Sequence, residues 1–139
     1  MDAVHSDDDG GLRLIVEHLV GLGHRDIAYV GGLGGRVGPD RADAYRRAMS
    51  EAGLADRIDL VAVGLGEEDG AAAGRLLLGR EHLPTAVIGC SDDVGAALIA
   101  VFSRAGVRVP EDVSVTGYDD SDIAALSYHA SPPYGRTPT

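Results

Sequence analysis

Arg41, the run Ser91-Asp92-Asp93 and the pair Asp119-Asp120 are the side chains of this chain best suited to polar ligand chemistry. A guanidinium presents a planar fork that can hydrogen-bond two oxygens of a diol or a carboxylate together. A carboxylate accepts hydroxyl protons and can take two from one sugar ring. Each group also has a plainer role. Arg41 suits a surface salt bridge, Ser91, Asp92 and Asp93 suit a helix N-cap, and Asp119 and Asp120 suit a cap or a solvated turn. Taken singly they decide nothing, so their meaning depends on the elements that carry them.

Other reactive groups form no constellation. His5, His18, His24, His82 and His129 fall in no paired spacing with cysteine or carboxylates, so no zinc site is expected. Cys90 follows an apolar run and reads as a packed, inert thiol. Gly31-Gly32-Leu33-Gly34-Gly35 lacks both the Gly-Lys-Ser/Thr end of a P-loop and the spacing of a dinucleotide fingerprint, and reads as loop. No cofactor is called for and no enzyme chemistry stands out.

The elements alternate. Leu12, Ile15, Val16, Leu19 and Val20 recur at helical spacing, with Gly23 as a stop. Residues 27–30 form a short continuous apolar run, which reads as a strand buried on both faces. Ala42, Tyr45, Met49 and Ala52 predict a helix, with Pro39 suited to its first turn and Gly53 closing it. Residues 60–63 read as a strand and 67–78 as a helix whose acidic first turn complements its dipole. Residues 85–88 predict a third strand. Val94, Ala97, Leu98, Val101, Phe102 and Ala105 make the clearest helical stripe, and residues 113–116 a fourth strand.

Four strands separated by helices predict an α/β fold, a three-layer αβα sandwich around a parallel sheet. Ligands of such sheets bind beyond the carboxyl ends of the strands. The loops to inspect are therefore residues 31–41, 64–67, 90–93 and 118–122. This places Arg41, Ser91, Asp92 and Asp119 on one edge of one sheet, a rim of hydrogen-bonding groups for a polyhydroxylated ligand. Residues 131–139 are rich in Pro and Gly and read as a tail or a shortened crossover after a domain spanning residues 1–130.

Composition narrows the class. At 139 residues the chain supports one domain with a core. All twelve basic residues are Arg, against 22 carboxylates, for a net charge of −10. Such a surface is ill suited to gripping DNA or an anionic membrane on its own. A single cysteine fits a reducing compartment, and the acidic start has no apolar stretch of a signal peptide. A cytoplasmic protein with no membrane partner is the expectation.

Several blocks resemble the lac repressor (LacI/GalR) family. They are residues 11–19, the run Leu22-Gly23-His24-Arg25-Asp26-Ile27-Ala28-Tyr29-Val30-Gly31-Gly32, Arg41-Ala42-Asp43-Ala44-Tyr45 and Pro84-Thr85-Ala86-Val87 with Ser91-Asp92. The most specific is residues 106–120, Gly-Val-Arg-Val-Pro-Glu-Asp-Val-Ser-Val-Thr-Gly-Tyr-Asp-Asp. The resemblance implies the second lobe of a periplasmic-binding-protein-like sensor in a homodimeric repressor whose DNA-binding headpiece is absent from this chain. It implies a sugar-like effector, with Arg41, Asp92 and Asp119 as ligand-binding residues. Ser91 stands where the family usually has Asn, Leu65 where an aromatic that stacks on the sugar is common, and Ala44 where Gly is common. The first lobe supplies half the cleft, so this lobe alone is expected to bind sugar weakly or not at all. Two other readings stay open: a secreted sugar-binding protein of the same fold, and a receiver-like α/β domain holding Mg²⁺ on Asp92-Asp93 and Asp119-Asp120.

Overall fold

The computed structural model describes residues 2–34 and 37–117. Asp119, Asp120 and the expected tail, residues 131–139, lie outside the described residues. The elements follow the order α1 (Asp2–Gly21), β1 (Ile27–Gly32), α2 (Val37–Glu51), β2 (Asp59–Val63), α3 (Glu67–Leu78), β3 (Ala86–Gly89), α4 (Asp92–Arg104) and β4 (Ser114–Thr116). Every predicted element is present, with strand ends moved by one or two residues.

The four strands form one sheet in the order β2-β1-β3-β4. All pairings are parallel, with Ala28 beside Asp59, Ile27 beside Ala86 and Ala86 beside Ser114. The connection from β1 to β2 runs one way along the sheet, and that from β2 to β3 runs back past β1. Right-handed crossovers then place α2 and α3 on opposite faces. Packing agrees, because α1 pairs with α2 while α3 pairs with α4. The result is the expected three-layer sandwich, and the strand order reverses between β1 and β3.

Burial explains the sequence pattern. The central strands β1 and β3 are covered on both faces, and Ile27, Ala28, Tyr29, Val30, Ala86, Val87 and Ile88 are inaccessible to solvent. A strand with two covered faces cannot alternate polar and apolar residues. Edge strand β2 has only Val61 fully buried. Leu12, Val16 and Leu19 of α1 and Tyr45 and Met49 of α2 fill one side of the core, and Leu77, Val94, Leu98 and Phe102 the other.

Tyr45 stitches a helix to two strands. Its hydroxyl donates to the Ile27 carbonyl at 2.6 Å and accepts the Asp59 amide at 3.0 Å. Its ring stacks on Tyr29 with centroids 5.2 Å apart. Burial pushes its hydroxyl pKa up to about 12.

Two features lie beyond the sequence expectation. Helix α1 begins at Asp2, well before the first stripe residue, Leu12. A short 3-10 turn, Ala55–Arg57, leads into β2, and Arg57 there pairs with Asp26 at 2.6 Å.

Candidate functional site

The exits of β1 and β3 are neighbours, because β1 and β3 pair directly. A crevice at such a reversal point is where open α/β sheets take ligands. Arg41 comes from the second turn of α2 and reaches this point. It is only 8% exposed, and its Nη1 donates to the Cys90 carbonyl at 2.7 Å. It is therefore no surface salt-bridge residue. A cation buried this deeply is retained where a specific partner or ligand uses it.

The approach of the two exits is close. A Cβ on Gly31 would stand 2.5 Å from Cys90 Cβ and 2.8 Å from its sulfur, so only glycine fits. Cys90 itself is buried and free, and burial raises its thiol pKa. That matches a packed thiol, with its Sγ 3.6 Å from the Gly64 carbonyl.

Ser91 and Asp92 follow at the start of α4. Ser91 is the N-cap, its hydroxyl accepting the Val94 amide at 3.2 Å. The same hydroxyl donates to the Leu65 carbonyl at 3.0 Å. Asp92 and Asp93 occupy the first turn, where the helix dipole favours negative charge. Asp92 also lies beside the β4 exit, since a Cβ on Gly117 would meet its Oδ1 at 3.0 Å. Leu65 is partly buried and packs over Gly34, where a Cβ would stand 3.0 Å from Leu65 Cγ. The turn before α3 is braced by Asp69, whose Oδ2 accepts the Gly66 amide at 3.1 Å.

The structure thus gathers residues from three strand exits at one end of the sheet: Arg41 from the helix after β1, Leu65 after β2, and Ser91 and Asp92 after β3. Asp119 lies outside the described residues. Sequence reasoning missed the Cys90 carbonyl as the seat of Arg41. A backbone acceptor leaves no mark in the residue type. Gly31 carried a weak signal, a glycine at the end of a buried strand. Among the described residues no group of three or more His, Cys, Asp or Glu side chains is placed to hold a metal ion.

Comparison with known proteins agrees with this architecture. The family model described as "Periplasmic binding protein-like domain" matches residues 16–135. The chain is 42% identical over 132 residues to the HTH-type transcriptional regulator CelR of Thermobifida fusca, covering 94% of this chain and 38% of that protein. It is 35% identical to the HTH-type transcriptional repressor PurR of Pasteurella multocida, covering 94% of this chain and 39% of the relative. Among solved structures, a LacI transcriptional regulator from a Rhodococcus species superposes with a TM-score of 0.78 at 34% identity, over 91% of this chain and 52% of that one. A sugar-binding LacI-family regulator from Escherichia coli, complexed with phosphate, gives 0.73 at 28% identity, over 86% of this chain and 44% of that one. The chain therefore spans under two fifths to about half the length of these proteins. By fold and sequence, it belongs to the periplasmic binding protein-like domain family, and the relatives it matches are LacI-type transcriptional regulators.

Proposed function

We propose that this chain is the effector-sensing lobe of a LacI-type transcriptional regulator, and that it takes a sugar-like small molecule at the exits of β1 and β3. The observation that carries this reading is Arg41, a buried guanidinium seated where the strand order reverses. Arg41, Leu65, Ser91 and Asp92, with Asp119, are the proposed ligand-binding residues. The carboxylates accept ligand hydroxyls, Arg41 anchors an oxygen pair, and Leu65 offers an apolar wall. Effector binding closes a second lobe over this one and shifts the equilibrium of the DNA-binding headpieces. The similarity to regulators named for a helix-turn-helix supports this reading over a secreted binding protein. The working compartment is the cytoplasm, and no helix among the described residues is long and apolar enough to cross a membrane.

Pairing of two copies is part of the proposal. The outward faces of α3 and α4 expose Ala72, Leu76, Ala96, Ile99 and Ala100. Exposed apolar side chains on two neighbouring helices are the proposed pairing face.

The test uses the full-length regulator. Arg41→Ala and Asp119→Ala should each weaken the effector-dependent change in operator affinity by tenfold or more, about 1.4 kcal/mol. Unchanged effector response in both variants would refute the site assignment.

A further inference from the structure

Two consecutive side chains at the β3 exit hold two consecutive carbonyls at the β2 exit. Cys90 Sγ approaches the Gly64 carbonyl at 3.6 Å, and Ser91 Oγ donates to the Leu65 carbonyl at 3.0 Å. The contact of Leu65 with Gly34 adds a brace from the β1 exit. Residue 65 is thus fixed by its backbone from one side and by its side chain from the other.

Ser91 has one hydroxyl proton, and the Leu65 carbonyl takes it. One lone pair receives the Val94 amide. What remains is a single acceptor. We infer that Ser91 is a positioning residue: it straps the β2–α3 turn to the start of α4, sets the place of Leu65 beside the strand exits, and offers a ligand no hydrogen-bond donor. A ligand group facing Ser91 must itself donate, as a hydroxyl or amine does and a carboxylate does not. The inference rests on the effector-site reading only in naming the strand exits a ligand site; the strap itself stands or falls without it.

Capping and strapping separate by substitution. Ser91→Asp keeps a good N-cap but has no proton for the Leu65 carbonyl near neutral pH. Ser91→Ala removes both functions, and Ser91→Thr keeps both. NMR of the ligand-free chain reads the Leu65 methyl shifts, the Leu65–Gly34 contact and amide exchange in residues 64–66. Ser91→Asp and Ser91→Ala should shift the methyl signals, weaken that contact and speed exchange about tenfold, the loss of one hydrogen bond. Ser91→Thr should restore the parent values, and Ser91→Ala, which loses the cap as well as the strap, should lower Tm more than Ser91→Asp. Leu65 signals unmoved by both Asp and Ala would overturn the inference and leave Ser91 a cap alone. A Thr variant that fails to rescue Leu65 while keeping the parent Tm would overturn it too. Neither result depends on an effector, so the effector-site reading is judged separately by its Arg41 and Asp119 variants.

Discussion

Arg41 Nη1 sits 2.7 Å from the Cys90 carbonyl oxygen, so a helix on one face of the sheet is tied to the exit of a central strand by a buried charge-assisted hydrogen bond. This bond makes Arg41 structural before any ligand arrives. Arg41→Ala leaves the Cys90 carbonyl without that donor, at a cost of about 2 kcal/mol. Arg41→Lys keeps a charged donor and should recover part of that loss, limited by its shorter reach. Urea unfolding checks both variants, and a midpoint within error of the parent for Arg41→Ala would show that the bond contributes nothing.

Tyr45 should give the protein a measurable alkaline limit. Its hydroxyl is held neutral by burial, with a pKa pushed up to about 12 against an ordinary 10.0. The folded state then keeps a proton that the unfolded chain loses. The stabilisation is fully present below pH 10 and falls as pH rises toward 12, by about 1.4 kcal/mol per unit at most. Tyr45→Phe removes this slope. It also strands the Ile27 carbonyl and the Asp59 amide, lowering stability at neutral pH by about 1–3 kcal/mol. Denaturant midpoints from pH 8 to 11 for both proteins test the sign, and parallel curves would contradict it.

Much of this architecture is legible in the residues. Runs such as Ile27-Ala28-Tyr29-Val30 read as doubly covered strands, and the order of elements then leaves few topologies. Ser91-Asp92-Asp93 before an apolar stripe reads as a helix start, and it is one. The beginning of α1 was hidden because an acidic stretch with adjacent Gly10 and Gly11 lacks helical patterning. The site is half legible. The loops that carry it follow from the strand exits. Its internal bonds do not, since Arg41 and Ser91 both bind backbone carbonyls, and any residue at positions 90 and 65 presents one.

Gly31 tests how tightly the β1 and β3 exits must approach. Gly31→Ala puts a methyl group 2.5 Å from Cys90 Cβ, and the exits must part. We expect a loss of about 3 kcal/mol, at the upper end for overpacking. Cys90→Ala cannot rescue it, because the colliding Cβ remains, whereas Cys90→Gly should recover part of the loss. The three variants are compared by thermal melting, and rescue by Cys90→Ala would show that the sulfur, not the backbone spacing, sets the limit.

Glycines in three helical settings should respond with opposite signs. Gly70 lies where α3 crosses α4, and a Cβ there would stand 2.7 Å from the Val94 carbonyl oxygen and 2.9 Å from Val94 Cα. Backbone cannot step aside, so Gly70→Ala must separate the helices, at about 3 kcal/mol. Gly74 faces the side chain of Val101 at 3.1–3.2 Å. A shift of a few tenths of an ångström relieves that contact, so Gly74→Ala should cost clearly less than Gly70→Ala. Gly10, inside α1, has nothing within 4 Å of its missing Cβ. There alanine gains only the entropy that glycine forfeits, and Gly10→Ala should stabilise by about 0.5–1 kcal/mol. Chemical denaturation of the three single variants ranks them. Equal effects at positions 70 and 74 would mean that α3 and α4 slide freely past one another, contrary to the backbone contact that separates the two sites.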